Sequence, residues 1–318
     1  MIRYVVKRLL MMIPILLGIS LIVLILIDVT PGDPARIIAG NTATEEEYQQ
    51  IRADLQLDDP LPVRYVRFIG NVVRGDFGKS FITKRAVWPD MMQRFPYTVM
   101  IAFLSLILSV FIGIPIGIFA ATHQYTWKDN LSIFLSLFCV SMPAFWFALL
   151  LVQFFSVKLR ILPMAGIESW QGWILPVISM ALGYAALIAR QMRSNTLDVI
   201  RQDYIVTARA KGQTERKVLY RHALKNALIP VIMTVGSIFG MSLGGALIAE
   251  VIFSVPGLGN FTLTGLTNRD YPVIQGSVLF LSALFSIVIL LIDLIFAFID
   301  PRIRSQYIRS KKRVRREP

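Results

Sequence analysis

Residues 190–225 read RQMRSNTLDVIRQDYIVTARAKGQTERKVLYRHALK, and this stretch carries nine Lys or Arg residues. Apolar segments without any charged residue lie on both sides of it, at 172–189 and 227–249. The stretch is too long for a turn, and it is too polar to cross hydrocarbon, where each charged side chain costs about 2.5 kcal/mol or more. The sequence therefore predicts a polar connection at a membrane surface, between two membrane-spanning helices.

This connection is itself expected to be helical. Two helical patterns, at 196–210 and 214–225, are separated by a break at Gly212. Thr214 is a candidate N-cap, and the acidic residue after it and the basic residues near the far end follow the charge order that a helix dipole favours. Such a helix pair either caps the membrane domain or enters a groove on a partner protein, and spacing alone leaves both alternatives open.

Elsewhere in the chain, apolar segments are long enough to cross about 30 Å of hydrocarbon, which takes about 20 residues at 1.5 Å per residue. The six segments are 9–27, 97–122, 131–157, 172–189, 227–249 and 276–299. Only 17% of the residues are charged, against about 25% in soluble domains. Because 9–27 is too long for the apolar core of a signal peptide, we interpret it as an uncleaved first helix. The predicted fold class is an all-α membrane protein with six transmembrane helices.

Basic residues set the predicted orientation of these helices. Three precede the first helix, nine lie in 190–225 and eight follow position 301, whereas the connections 158–171 and 250–275 carry three between them. Both chain ends and the 190–225 connection are therefore expected on the cytoplasmic side (N-in, C-in). The placement of the charges beside apolar segments also explains the net charge of +13 without a nucleic-acid partner.

The connection between the first two helices, residues 28–96, is long and lies outside in this orientation. Thr44 with Glu47 three positions later fits a capping box. Pro60 and Pro62 are expected to stop that helix before a second amphipathic one. We expect two short helices on the outer surface, which serve either as a structural lid or as a docking surface for an external partner.

These spans divide the chain into three predicted regions. Residues 1–96 hold the first helix and the structured external loop, and 97–305 form a five-helix core that includes the connection 190–226. Residues 306–318 form a basic cytoplasmic tail, which is expected to lie near anionic lipid.

The sequence contains no recognisable catalytic or metal-binding constellation. A single cysteine, Cys139, excludes an internal disulfide, and two histidines are too few for a histidine-rich metal site. Gly78-Lys79-Ser80 resembles the end of a phosphate-binding loop, but position 73 is Val where that motif requires Gly. We therefore expect a non-catalytic chain without a cofactor of its own, so that another polypeptide must hydrolyse any ATP. Asp293, the one acid well within an apolar segment, is expected to face the helix bundle rather than to relay protons.

Glycines recur every four residues in two of the apolar segments. Gly113 and Gly117 lie in the second, and Gly236, Gly240 and Gly244 lie in the fifth. Small residues on one face let helix backbones approach closely in lipid. The spacing predicts tight helix packing, either within the chain or against a second subunit.

The basic stretch also carries a family resemblance. DYIVTARAKG at 203–212, followed by HALKNALIP at 222–230, resembles the coupling loop of ABC importer permeases, most closely those of the dipeptide, oligopeptide and nickel family. Further matches occur in the family's order: TPGDP at 30–34, GDFGKS at 75–80, the run 250–259 ending in PGLG, RDYPVIQG at 269–276 and DPR at 300–302. The general importer pattern is met only at Ala208, Gly212 and Leu224, a departure that the peptide and nickel branch shares.

The resemblance implies a mechanism and a set of partners. Two permease subunits, homologous rather than identical, form a pathway in the bacterial inner membrane, and two cytoplasmic ATPases that bind ATP and Mg²⁺ drive it. An external binding protein delivers a peptide-type solute, namely a dipeptide, an oligopeptide or glutathione. Nickel or a metal–metallophore complex is the alternative solute, and a secondary carrier or channel is the alternative class.

Two groups of site residues follow from the resemblance and the patterns above. Those assigned to ATPase coupling are Tyr204, Thr207, Ala208, Ala210, Gly212, Arg221, His222, Leu224 and Asn226. Those assigned to helix packing or the pathway are Gly236, Gly240, Gly244, Met142, Pro143, Glu250 and Asp293.

Overall fold

The computed structural model describes residues 2–299 with the exception of 31, 41 and 42, so the predicted tail 306–318 lies outside the described residues. The described chain is helical apart from its loops and one isolated β-bridge between Lys79 and Ala86. The α-helices are α1 (Ile2–Val29), α2 (Pro34–Ala39), α3 (Glu45–Asp54), α4 (Leu61–Val73), α5 (Val87–Thr122), α6 (Trp127–Ser141), α7 (Ala144–Leu151), α8 (Ile174–Ile200), α9 (Asp203–Ala210), α10 (Glu215–Lys217), α11 (Leu224–Ile252), α12 (Leu258–Thr267) and α13 (Tyr271–Ile299). A π-helix at Val152–Lys158 extends α7, a second at Val218–Ala223 joins α10 to α11, and a 3₁₀ turn at Trp170–Trp173 precedes α8.

Five of the described helical stretches are long and apolar enough to cross a membrane, and they contain α1, α5, α8, α11 and α13. A sixth span results if α6 and α7 are counted together. The predicted all-helical membrane fold is confirmed at this level, with five to six spans.

The third predicted span, 131–157, is not one straight helix. α6 ends at Ser141 and α7 starts at Ala144, and the two halves of the span are bent by 98°. Pro143 cannot continue the helix, and it holds Met142 in an extended conformation with φ −74° and ψ 130°. The sequence analysis did not predict this bend, because the hydropathy that identified the span does not register a change of direction.

α8 is longer than the predicted fourth span, 172–189. It continues to Ile200, so Arg190 and Arg193 belong to the helix and not to the connection after it. Basic residues ended the span in the sequence prediction, whereas α8 goes on burying apolar side chains beyond them. The predicted helix 196–210 is correspondingly divided, because α9 follows a turn and is a separate helix.

The chain forms two compact units by its internal contacts. Unit 1 comprises Met1–Met100 and Leu243–Ser286, and unit 2 comprises Ile101–Ser242 and Ile287–Pro318. A buried cluster in unit 1 consists of Val87, Met91, Leu258, Phe261 and Val273. A buried cluster in unit 2 consists of Ile188, Met192, Ala227, Val231 and Ile238.

In unit 1 the connection between α1 and α5, which the sequence analysis predicted to lie outside, is a folded layer. The Thr44 hydroxyl accepts the Glu47 backbone N–H, and the Glu47 carboxylate accepts the Thr44 N–H, so the predicted capping box at the start of α3 is confirmed. Asp33 caps α2 with one carboxylate oxygen. Its other oxygen accepts hydrogen bonds from Tyr48, at 2.6 Å, and from Arg52.

The prolines of this layer start a helix rather than stop one. α3 ends at Asp54, and Gln56 follows in the left-handed region with φ +55°. α4 begins directly after Pro60 and carries Pro62 in its first turn. A proline fits that position because the first turn of a helix leaves its backbone N–H groups unpaired. The helix that was predicted to stop at Pro60 and Pro62 therefore ends earlier, at Asp54.

Three of the sequence motifs meet in unit 1. The Asp270 carboxylate accepts hydrogen bonds from the Ser80 hydroxyl and, at 2.9 Å, from the Phe81 backbone N–H. Arg269 donates to the Gly32 carbonyl at 3.1 Å. Gly32 has φ +116°, and the Arg269 guanidinium occupies the space that a Cβ would need. The motifs at 30–34, 75–80 and 269–276 therefore form one tied layer.

In unit 2, α5 and α8 pack along a continuous seam of small residues. The residues in register are Ser105 with Val177, Ser109 with Ala181, Gly113 with Ala185 and Gly117 with Ala189. The two serine hydroxyls donate to the facing carbonyls at 3.3 and 3.0 Å. A Cβ on either glycine would lie 2.5–2.6 Å from the facing carbonyl oxygen. The tight packing predicted for Gly113 and Gly117 thus occurs within the chain, and the two serines extend it by two helical turns.

Candidate functional site

The connection between α8 and α11, together with the first residues of α11, folds into a compact element, residues 203–226, which we call the coupling segment after the family loop that it resembles. Its core consists of Ile205, Ala208, Val218 and Ala223, each 7% exposed or less. α9 supplies two of these side chains and the π-helix Val218–Ala223 supplies the other two. The segment therefore has an apolar core of its own and is not a loop. Ala208, assigned to ATPase contact from the sequence, belongs to this core.

Gly212 ends α9 in the left-handed conformation, with φ +73°. Its N–H donates to the Arg209 carbonyl at 2.9 Å, and the Gln213 N–H donates to the Ala208 carbonyl at 3.4 Å. These bonds satisfy carbonyls that the end of a helix leaves open. Nothing lies within 4 Å of the position of a Cβ on Gly212, so the glycine is required by conformation and not by space.

Polar side chains tie the two halves of the coupling segment together. His222 shares a hydrogen bond of 2.7 Å with Gln213. The Asn226 amide donates to the Tyr204 hydroxyl at 2.8 Å. Four residues assigned from the sequence, Tyr204, Gly212, His222 and Asn226, therefore maintain the shape of the segment.

An ion pair crosses the turn that contains Gly212. Arg209 donates to both carboxylate oxygens of Glu215, with Nε–Oε1 2.7 Å and Nη2–Oε2 3.2 Å. Both side chains are well exposed, at 41% and 72%. The hydrogen bond to Glu215 raises the pKa of Arg209 above its usual value.

The outward face of the coupling segment is partly apolar. Its exposed residues include Tyr204, Val206, Thr207, Ala210, Tyr220 and Arg221. Val206 and Tyr220 are 56% and 57% exposed, and the sequence analysis missed both. They are large apolar or aromatic residues in a charged stretch, which is the signal that could have found them. Leu224 is instead packed against the buried cluster of unit 2.

The glycines of α11 differ from one another. A Cβ on Gly236 would lie 2.7 Å from Ile292 of α13, so this glycine packs within the chain. Gly240 is buried, whereas Gly244 is exposed and has nothing within 4 Å of a Cβ position. Asp293 follows Ile292 in α13 and is half-buried. Met142 and Pro143 form the bend between α6 and α7.

Glu250, assigned to the pathway from the sequence, lies in a buried polar cluster of unit 1. Its carboxylate accepts hydrogen bonds from the Thr98 hydroxyl at 2.5 Å and from the Asn260 backbone N–H at 2.9 Å. The Thr98 hydroxyl oxygen in turn accepts the Leu258 N–H at 2.8 Å. A Cβ on Gly257 would overlap the carboxylate. Glu250 thus caps the start of α12, and the PGLG motif lets the backbone approach it.

A second polar cluster, in unit 2, was missed by the sequence analysis. Arg193 of α8 donates to both carboxylate oxygens of Asp129 at the start of α6, at 2.6 and 2.7 Å. The Asp129 side chain is 2% exposed and the Arg193 side chain is 23% exposed. Such a bidentate pair fixes the angle as well as the distance between two helices. It was missed because the partners lie 64 residues apart and Arg193 was placed in a loop.

The long apolar helices define an integral membrane protein, and the comparisons with known proteins give its class. Residues 113–305 match the family described as binding-protein-dependent transport system inner membrane component, and residues 1–102 match the N-terminal family of the same components. The chain belongs to this family. It is a permease subunit of an ABC importer in the bacterial inner membrane.

Individual relatives are similar over almost the whole chain. The glutathione transport system permease proteins GsiC of Salmonella paratyphi A and of Escherichia coli K12 are 42% and 41% identical over 304 residues. These alignments cover 96% of this chain and 99% of each relative.

Solved structures show the same fold at lower identity. Chains from two inward-facing crystal forms of the MetNI methionine ABC transporter align with TM-scores of 0.56 and 0.58 at 18% identity. The alignments cover 66% of this chain and 96% of those chains.

Proposed function

We propose that this chain is one of two permease subunits of an importer that moves glutathione or a closely related small peptide into the cell. The observation that carries the proposal is the 41–42% identity with glutathione permeases over 96% of the chain. Those relatives are named for glutathione and not for nickel, so we set the peptide-type solute above the nickel or metallophore alternative.

The proposal includes the topology. We place six spans in the membrane, with α6 and α7 forming one bent span, and both chain ends and the coupling segment in the cytoplasm. The excess of Lys and Arg around the coupling segment supports this orientation. In the same scheme residues 1–96 form an anchored external region, and 97–305 form the core of the pathway.

The proposal also assigns roles to partners. Two cytoplasmic ATPases hydrolyse ATP with Mg²⁺, and the exposed face around Val206, Ala210 and Tyr220 enters a groove on one of them. The apolar character of that face supports a protein contact. A second, homologous permease completes the pathway, and an external binding protein delivers the solute to the tied layer of unit 1.

Co-purification in mild detergent followed by reconstitution tests the proposal. The tagged chain is expected to bring down an ATPase and a second permease of similar size. Proteoliposomes that hold all subunits, with the binding protein outside, are expected to accumulate radiolabelled glutathione only with ATP, and unlabelled small peptides compete. A chain that purifies alone and transports without ATP contradicts the proposal and favours a secondary carrier, a class that also uses broken helices like the one at Pro143.

A further inference from the structure

Unit 2 contains an open groove of about 420 Å³ between α8 and α11, in which Arg190, Ser237 and Met241 are exposed and which we call the cavity. It is lined by Leu187, Arg190 and Gln191 of α8 and by Thr234, Ser237, Ile238 and Met241 of α11. The α11 residues fall at helical spacing on one face of that helix. The volume lies in the range of about 300–1,000 Å³ that small-molecule sites occupy.

The polar groups of this cavity have unused hydrogen-bonding capacity. Among the residues that the structure describes, Arg190 makes no hydrogen bond and no ion pair. The side-chain amide nitrogen of Gln191 donates to Asn195 at 3.0 Å, which leaves the Gln191 carbonyl oxygen available as an acceptor. Thr234 donates to the Pro230 carbonyl at 3.2 Å and can still accept.

The charge of the cavity is uncompensated. Its lining contains one cation, Arg190, and no carboxylate. The neighbouring Arg193 differs, because Asp129 neutralises it. A guanidinium within a membrane helix is costly unless it meets an anionic group, and its planar fork matches a carboxylate in two hydrogen bonds.

We infer that this cavity is a solute subsite in which Arg190 binds a carboxylate of the transported peptide. Gln191 and Thr234 accept amide N–H groups of the peptide backbone, and Leu187, Ile238 and Met241 form an apolar wall. The class of ligand is a small peptide with at least one free carboxylate, which glutathione satisfies. This inference rests on the proposed function, since it assumes a peptide-type solute.

A thiol-protection assay measures occupancy of the cavity without relying on transport. The whole importer, reconstituted in nanodiscs, carries Cys139→Ser and Ser237→Cys, so that one reporter thiol lies in the cavity. Its alkylation rate is measured against increasing S-methylglutathione, which has no thiol of its own, and against the same compound with both carboxylates amidated. Arg160→Gln removes an exposed arginine outside the cavity and serves as the matched control.

S-methylglutathione is expected to slow alkylation, and Arg190→Gln is expected to raise the half-protecting concentration about 10- to 100-fold, which is the loss of one charged hydrogen-bonded contact. The half-protecting concentration for Arg190→Lys should lie between those of wild type and Arg190→Gln, because lysine keeps the charge but lacks the planar guanidinium that forms two parallel hydrogen bonds. The amidated compound should protect weakly, and equally with or without Arg190. Arg160→Gln should leave protection by both compounds unchanged.

Three results overturn the inference. The first is equal protection by the acid and the amidated compound, and the second is protection that survives Arg190→Gln. The third is protection that follows the phosphatidylglycerol content of the nanodisc instead of the solute, which assigns Arg190 to lipid phosphate. The failure of the proposed function is separate, because wild-type proteoliposomes then accumulate neither glutathione nor small peptides with ATP and binding protein present.

Discussion

Replacing Gly212 perturbs the coupling segment at a position where one physical effect can be isolated. The residue has φ +73°, and nothing lies within 4 Å of the Cβ that alanine would add. Alanine therefore introduces backbone strain without a clash. That strain is about 1–2 kcal/mol for a non-glycine residue in the left-handed region. Alanine also lowers the conformational entropy of the unfolded chain, which offsets about 0.4–1 kcal/mol of this cost. The net cost is about 1 kcal/mol, or about fivefold in an equilibrium constant.

A series of substitutions separates conformation from contact. Gly212→Asn should cost less than Gly212→Ala, because asparagine tolerates the left-handed region. Gly212→Glu adds a bulky acid on the exposed face to the same strain, and it is expected to abolish solute-stimulated ATP hydrolysis while membrane insertion stays intact. Gly75→Ala is the matched control, because Gly75 has φ +81°, an equally open Cβ position and a place in unit 1.

The assay is ATP hydrolysis by the reconstituted importer with binding protein and solute, together with hydrogen exchange across 203–223. Stimulation should fall in the order Asn, Ala, Glu, while Gly75→Ala matches wild type. Faster exchange in the segment should accompany Gly212→Ala. Unchanged hydrolysis in Gly212→Glu would refute the role assigned to this segment.

Three further predictions are each tested by the free energy of unfolding in detergent. Gly117→Val should cost about 1–3 kcal/mol by overpacking the α5–α8 seam, whereas Gly183→Val, with nothing within 4 Å of its Cβ position, should not incur that cost. Gly257→Ala should cost a similar amount, and Glu250→Ala should relieve that cost in the double variant by removing the carboxylate that the Cβ meets. Asp129→Asn should cost about 1.5–3 kcal/mol, because its arginine partner loses a charged acceptor.

Local rules explain which parts of the fold could be predicted from the sequence. The capping box at Thr44 depends on residues three positions apart, and it forms as expected. The bend at Met142 also had a local signal, since a residue before proline is driven out of the helical conformation. It was missed because the span was identified from hydropathy, which carries no information on a change of helix direction.

Long-range pairing explains most of what was missed. The carbonyls that face Ser105 and Ser109 lie 72 residues further along the chain, and no spacing within one helix indicates which helix comes opposite. Arg190 was assigned to the polar connection for a different reason, because a charged residue was taken to mark the end of a membrane span. A charge can lie inside a span when it faces a cavity or a partner, so charge alone places the end of a helix poorly.

α8 links the candidate solute cavity to the coupling segment. Arg190 lines the cavity, Arg193 one turn further on binds Asp129 of α6, and Ala189 packs on Gly117 of α5. These contacts fix the C-terminal half of α8 to α5 and α6, so the three helices would move as one group. The opposite wall belongs to α11, which continues directly from the π-helix Val218–Ala223 of the coupling segment, and π-helical turns are frequent at functional sites. Both walls therefore emerge from the same element, and a displacement of that element by an ATPase would act directly on the spacing of the cavity.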